Sequence, residues 1–299
     1  MTIENECFCS QADLDISSLT PCNHEEADTR LFLHLAHTVQ EGHTSVLMRS
    51  SDSDVASNGT KSTAQLIPKG LEELWIAFGQ GAYFRYIPVH EIVAMLGSQM
   101  SLALPGFHAF TGCDSTSAFY GKGMKKAWSV WQSYPAVTEA FLYLSQPSPQ
   151  KQHLDRILPT LHVFVNKLYG VSEDSAEDVD GARLVLLVHH GKSFEDIPPS
   201  SDTLYQKVLR TAFQSGHIWG NMHQRDISEE SPMDWGWHQP TENSPITPLY
   251  VTTPILSSAM PELSSCGCRN EICKGNCVCI KHKYQCSMLC KCHGRCVRK

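Results

Sequence analysis

Apolar positions recur at every fourth residue in the segment that starts at Asn23, where Ala27, Leu31, Leu35 and Val39 form one stripe. That spacing predicts an amphipathic helix. Asn23, followed three residues later by Glu26, reads as a capping box, and Gly42 as the stop. The pattern then changes. TSVLMRSSDSDV (44–55) predicts a short strand running into acids, and ASNGTKSTAQLIPKG (56–70) a polar loop. ELWIAF (73–78) and AYFRYI (82–87) are β-like runs around Gly-Gln-Gly, which predicts a hairpin.

Helical periods dominate the chain from Pro88 to Gly220: PVHEIVAMLG (88–97), SLALPGFHAF (101–110), KKAWSVWQSY (125–134), AVTEAFLYLS (136–145), DRILPTLHVFVNKLYG (155–170) and DTLYQKVLRTAFQSGHIWG (202–220). The stretch to residue 261 is rich in Pro, Trp, Ser and Thr and reads as an extended strap docked through Trp235 and Trp237. No repeat on a solenoid scale is present. The expected organisation is a flexible leader (1–22), an α/β body with many helices (23–220), a strap (221–262) and a small cysteine domain (263–299).

Composition sharpens this. The chain has 299 residues, 41% of them hydrophobic, enough for one sizeable core and something small beside it. No apolar run approaches the ~18–20 residues of a membrane span, so no membrane role is expected. The opening MTIENECFCSQADLD is polar and acidic, unlike a secretory signal. Nine of the 13 cysteines lie between positions 266 and 296. In a reducing, intracellular setting such clustering predicts metal ligands rather than disulfides. Charge is uneven too. Residues 266–299 carry eight Lys/Arg against one acid, while the rest holds sixteen bases against thirty acids. The tail is the cationic end.

The nine tail cysteines are Cys266, Cys268, Cys273, Cys277, Cys279, Cys286, Cys290, Cys292 and Cys296. Structural zinc takes four thiolates in a tetrahedron. Nine thiolates fill the slots of about three zinc ions only if some of them bridge two metals. The Cys-x-Cys pairs 266/268, 277/279 and 290/292 suit a threefold arrangement. Nine thiolates against three Zn²⁺ leave the cluster at roughly −3. The tail then keeps a positive excess, with Arg269, Lys274, Lys281, Lys283, Lys291 and Arg295 as phosphate-contact candidates. This spacing resembles the tesmin-like CXC domain, a zinc-binding DNA-recognition module. That family often carries two such units, and here there is one.

Three acidic spots stand out in the body: Glu26 with Asp28, Asp52 with Asp54, and Asp114 in Gly-Cys-Asp. Singly, each has an ordinary reading as a helix-dipole partner or turn residue. Together, Glu26-Ala27-Asp28, Asp52-Ser53-Asp54 and Gly112-Cys113-Asp114 resemble, in order, the metal-binding elements of the flap-endonuclease (XPG-like) branch of PIN-type nucleases. Gly121, Gly123, Lys125 and Ala127 stand where that family places a DNA-clamping turn. The resemblance implies Mg or Mn at the carboxylates and phosphate contact at Gly121, Gly123, Lys125 and Lys126. It also implies an opening strand carrying a first metal Asp, and nothing before Asn23 resembles one. The expected fold class is therefore α/β, a partial PIN-like sheet lacking its first strand, with many helices and a zinc-cysteine cluster. Over residues 22–296 the blocks HEEADTR, ELWIAFG, FRYIPVHEI, LPGFHAFTGCD, GKG-KKAW and DWGW, followed by the cysteine-rich end, also resemble a mobile-element-derived animal protein family.

No Gly-x-x-x-x-Gly-Lys-Ser/Thr loop is present, so nucleotide hydrolysis is not expected. The leading expectation is a nuclear, zinc-dependent DNA-binding protein with a degenerate nuclease-like body. The alternatives are an active Mg-dependent structure-specific DNA nuclease and a cysteine-rich metal store without DNA partners.

Overall fold

The computed structural model describes residues 15–189, 192–227 and 230–251, the pairs 2–3 and 6–7, and in the tail 266–268, 272–273, 277–281, 286, 290–292 and 297–298. The chain groups into two compact units, 1–164 with 205–249, and 165–204 with 250–299. The architecture is mixed α/β, dominated by helix, with a cysteine cluster near the C-terminus.

The first unit is built on a three-stranded sheet. Helix α1 (Ala27–Gln40) leads into β1 (Ser45–Ser50), and helix α2 (Ser53–Leu66) crosses over to β2 (Glu73–Phe78). Strands β1 and β2 run parallel, from Ser45 opposite Glu73 to Ser50 opposite Phe78. Strand β3 (Arg85–Pro88) returns antiparallel, Phe78 facing Arg85, so the predicted hairpin forms. Helices α3 (Val89–Thr111), α4 (Met124–Ser133) and α5 (Thr138–Ser145) follow. The core collects Phe32, Leu35 and Val39 of α1, Met48 of β1, Val55 and Leu66 of α2, Leu74 and Ile76 of β2 and Val89 of α3. Side chains alternate across a strand, so the sheet buries Met48 and Ile76 and turns Leu47 and Tyr86 outward.

Residues 56–70, expected as a polar loop, are instead mostly helix α2. Asp52 caps it, its Oδ1 accepting from the Asp54 N–H at 2.8 Å. Ser57, Asn58, Thr60, Ser62 and Thr63 are buried. Their small volumes let α2 lie close to its neighbours; a Cβ on Gly59 would stand 3.2 Å from Ile76 Cδ1. Packing of small polar residues replaces the apolar stripe, so hydrophobic periodicity does not register it.

A second correction concerns the start of α1. The helix begins at Ala27, and Glu26 occupies the cap without a side-chain bond to it. Asn23 does not cap. Its side chain pairs with the backbone of Ile227, donating at 2.8 Å and accepting at 2.7 Å. The buried stripe also includes Phe32 and Ala36 beside Leu35 and Val39. Helix α3 joins the two predicted helical runs across a kink at Gly97, where φ is 75°.

Ahead of α1, Leu19 and Cys22 are buried against Leu33 and Ile16. In the strap, Trp235 is buried with its ring 4.5 Å from His217, and Trp237 lies under the Arg210 guanidinium at 6.0 Å. Helix α6 (Leu158–Tyr169) and helix α8 (Ser201–Ala212) each bridge the unit boundary in sequence, and α7 (Val179–Leu184) belongs to the second unit. There the buried Asn166 amide donates to the Ala176 and Asp178 carbonyls. Among the described residues no helix is long and apolar enough to cross a membrane.

Candidate functional site

The five carboxylates singled out in the sequence line one cavity. Glu26, Asp28, Asp52, Asp54 and Asp114, with Ala27, Ser115 and Gln214, surround a space of about 270 Å³. Local structure explains the delivery of each. Glu26 and Asp28 sit at the first turn of α1, and Asp52 and Asp54 at the first turn of α2, just past the end of β1. Crevices at the carboxyl ends of parallel strands collect groups in this way. Asp114 arrives on a turn closed by mutual backbone hydrogen bonds between Cys113 and Thr116. That turn follows Gly112, whose φ of 127° suits glycine and whose Cβ would meet Ala118 at 2.8 Å. The Thr116 hydroxyl donates to the Ala109 carbonyl, and the Lys207 ammonium to the Ser117 carbonyl, which ties the turn to α3 and α8.

A second layer holds the acids in place. His108 Nε2 meets Asp54 Oδ1 at 2.7 Å, and the His108 ring stacks on Trp219 at 6.1 Å. Glu26 accepts from the Gln214 amide at 2.8 Å and from the Trp219 indole N–H at 3.1 Å. Sequence alone did not point to these supports. His108 carried a weak signal as the one ionisable residue in the apolar run LPGFHAF. Gln214 and Trp219 carried none, because they join the site through folding from nearly two hundred residues away.

The electrostatics report the crowding. Burial pushes the Asp28 carboxyl up to about 6, and Asp52, Glu26, Asp54 and Asp114 add repulsion. Burial also raises Glu26, opposed by its bonds from Gln214 and Trp219 and assisted by the charge of Asp54. An all-oxygen donor set of this kind suits hard divalent cations. The oxygens are nevertheless loosely spaced: among the described residues, sets of three or more ligand atoms within 4.8 Å consist of cysteines.

Beyond Asp114, Gly121 has a φ of 65° and Gly123 caps α4 with no side-chain bond, leaving Lys125 and Lys126 exposed in its first turn.

The tail supplies those cysteine sets. Cys266, Cys277, Cys279 and Cys286 form one tetrad, and Cys266, Cys286, Cys290 and Cys292 another. Cys266 and Cys286 are common to both, with their sulfurs 3.8 Å apart. Cys268 packs against the cluster. The described cysteines form no disulfide. Burial raises the Cys266 and Cys279 thiols, so a cation is needed to hold the cluster as thiolates. Tetrads of soft sulfur fit zinc. The cluster could therefore bind metal such as zinc. Lys281 and Lys291 are exposed beside it. The Cys273 side chain, Cys296, Arg269, Lys274, Lys283 and Arg295 lie outside the described residues. Comparison with protein-family profiles, with curated proteins and with solved structures matches none of them to this chain.

Proposed function

We propose that this chain is a metal-dependent phosphodiester hydrolase acting on DNA, with a partial PIN-like body and a CXC-like zinc tail that attaches it to the nucleic acid. One observation supports the reading above all: five carboxylates from three separated segments line a single cavity. Clustering acids costs stability through desolvation and repulsion, and a divalent cation offsets that cost.

A phosphodiester resists attack because the nucleophile meets an anion. Glu26, Asp28, Asp52, Asp54 and Asp114 would hold Mg²⁺ or Mn²⁺, which would supply water activation and charge neutralisation at the phosphate. The chain's own residues do the holding and aiming. Asp54 is oriented by His108, and Glu26 by Gln214 and Trp219. Asp28 and Asp52 flank them, and Asp114 approaches on a turn of its own. Lys125 and Lys126 offer cations to phosphates along the strand. The cationic tail adds sequence-independent grip. A DNA partner implies a nuclear setting.

A second reading keeps DNA binding in the tail and leaves the body an inactive scaffold. The loose spacing of the carboxylate oxygens favours it. The deciding assay offers flapped and single-stranded DNA with Mn²⁺ to the full chain, beside Asp54→Ala and Asp114→Ala. Cleavage lost in both variants is the expected result. DNA binding without any cleavage would transfer the conclusion to the scaffold reading.

A further inference from the structure

The outer face of the sheet carries an unusual surface. Helices α1, α2 and α3 cover the face that holds Met48 and Ile76. On the other face Leu47 is 61% exposed and Tyr86 57% exposed. Strand register sets Arg49 of β1 opposite Ala77 of β2, and Ala77 opposite Tyr86 of β3, so Arg49 and Tyr86 flank a small residue on one side of the sheet. Phe84 completes the group. The Arg49 guanidinium lies 5.2 Å from the Phe84 ring centre, and the Phe84 and Tyr86 rings meet edge to face at 5.2 Å. No carboxylate pairs with Arg49 among the described residues.

We propose that Arg49, Phe84 and Tyr86 form a stacking platform for an unpaired base of a single-stranded nucleic acid entering the carboxylate cavity. The proposal rests on the nucleic-acid reading of that cavity and adds the strand's path to it. Arg49 stands three residues before Asp52, at most about 10 Å along the chain. A polyanion approaching five carboxylates needs a cation beside them, and Arg49 is one without an acid partner. An exposed aromatic face suits any base, and a guanidinium over a ring leaves donors for the adjoining phosphate. Rings standing on a sheet surface beside arginine are a recurrent means of holding single strands. A protein partner would also accept aromatic residues, but a cation without an acid partner, three residues from Asp52 of the cavity, favours an anionic chain.

Ultraviolet crosslinking of a short oligothymidine to the zinc-loaded full chain, followed by peptide mapping, tests this without requiring cleavage. Adducts on residues 83–86 are expected. Tyr86→Ala and Arg49→Ala should each weaken single-strand binding about tenfold, with duplex binding little changed and Tyr86→Phe restoring affinity. Adducts on residues 112–126 with none on 83–86 would remove the platform while leaving the cavity reading intact. Adducts confined to the tail would remove both. Self-association lost in Tyr86→Ala, with no adduct at 83–86, would make this face a protein interface and overturn the proposal.

Discussion

At the scale of single residues, the chemistry concentrates in groups that are uncomfortable where they stand. Asp28 is the plainest case, its carboxyl raised from 3.8 to about 6 by burial and by four neighbouring acids. A raised folded-state value means that the folded chain binds the proton more tightly than the unfolded chain. The associated stability is present below about pH 4 and is lost as pH rises through about 6. Asp28→Asn mimics the protonated form. Without divalent metal it should raise the melting temperature at pH 7.5 and give no gain at pH 4. Mg²⁺ or Mn²⁺ should narrow the difference at neutral pH by neutralising the wild-type site. Thermal melting of both proteins across this range checks the sign. Equal shifts at both pH values would mean that Asp28 does not feel the cluster. The acids themselves were legible as residue types in order along the chain. Their supports were not, because a histidine in an apolar run and a distant Trp come to hold the acids only through contact.

At the scale of elements, α2 and α3 decide the body. The sequence of α2 lacks an apolar stripe, and its helix survives because Asp52 caps it and the small side chains fit between layers. Inside it, Lys61 is buried with its ammonium donating to the Ser145 carbonyl, and burial lowers it to about 7. Helix α3 meets α5 through Gly106, whose N–H donates to Ser145 Oγ at 2.7 Å. A Cβ at Gly106 would fall 2.3 Å from the Phe141 carbonyl oxygen. Helix propensity alone predicts that Gly106→Ala stabilises by up to about 1 kcal/mol. The backbone oxygen cannot move aside as a flexible side chain would, so overpacking at about 1–3 kcal/mol should prevail. Urea unfolding should show a lower midpoint for the variant. A higher midpoint would mean that α3 and α5 separate easily, leaving the Asp114 turn on a yielding base.

At the scale of the whole molecule, one unit gathers carboxylates and the tail gathers thiolates, and hard and soft donors do not compete for the same cations. The sharing of Cys266 and Cys286 between two tetrads has a stoichiometric consequence. The reduced full chain should carry about three zinc ions by native mass spectrometry, the number that nine thiolates support with bridging. Cys266→Ser should lose more than one of them, because a bridging ligand serves two metals. Loss of a single zinc, or of none, would show that the tetrads are alternatives rather than neighbours.

The chain's order of residues by itself determined the short strand that stops just before Asp52 and Asp54, the hairpin farther on, most of the helices and the cysteine spacing. These arise from local periods of two and 3.6, from turn glycines and from ligand chemistry, all of which operate over a few residues. Tertiary structure alone decided the rest. It made residues 56–70 mostly a buried helix rather than a loop, since small polar residues gain their stability from neighbours and not from a pattern. It drew Asn23 away from helix capping to the backbone of Ile227. It brought His108, Gln214 and Trp219 to the acids, and left Leu47, Arg49 and Tyr86 facing outward. Such outcomes depend on which surfaces meet, and contact between distant segments leaves no local trace in a sequence.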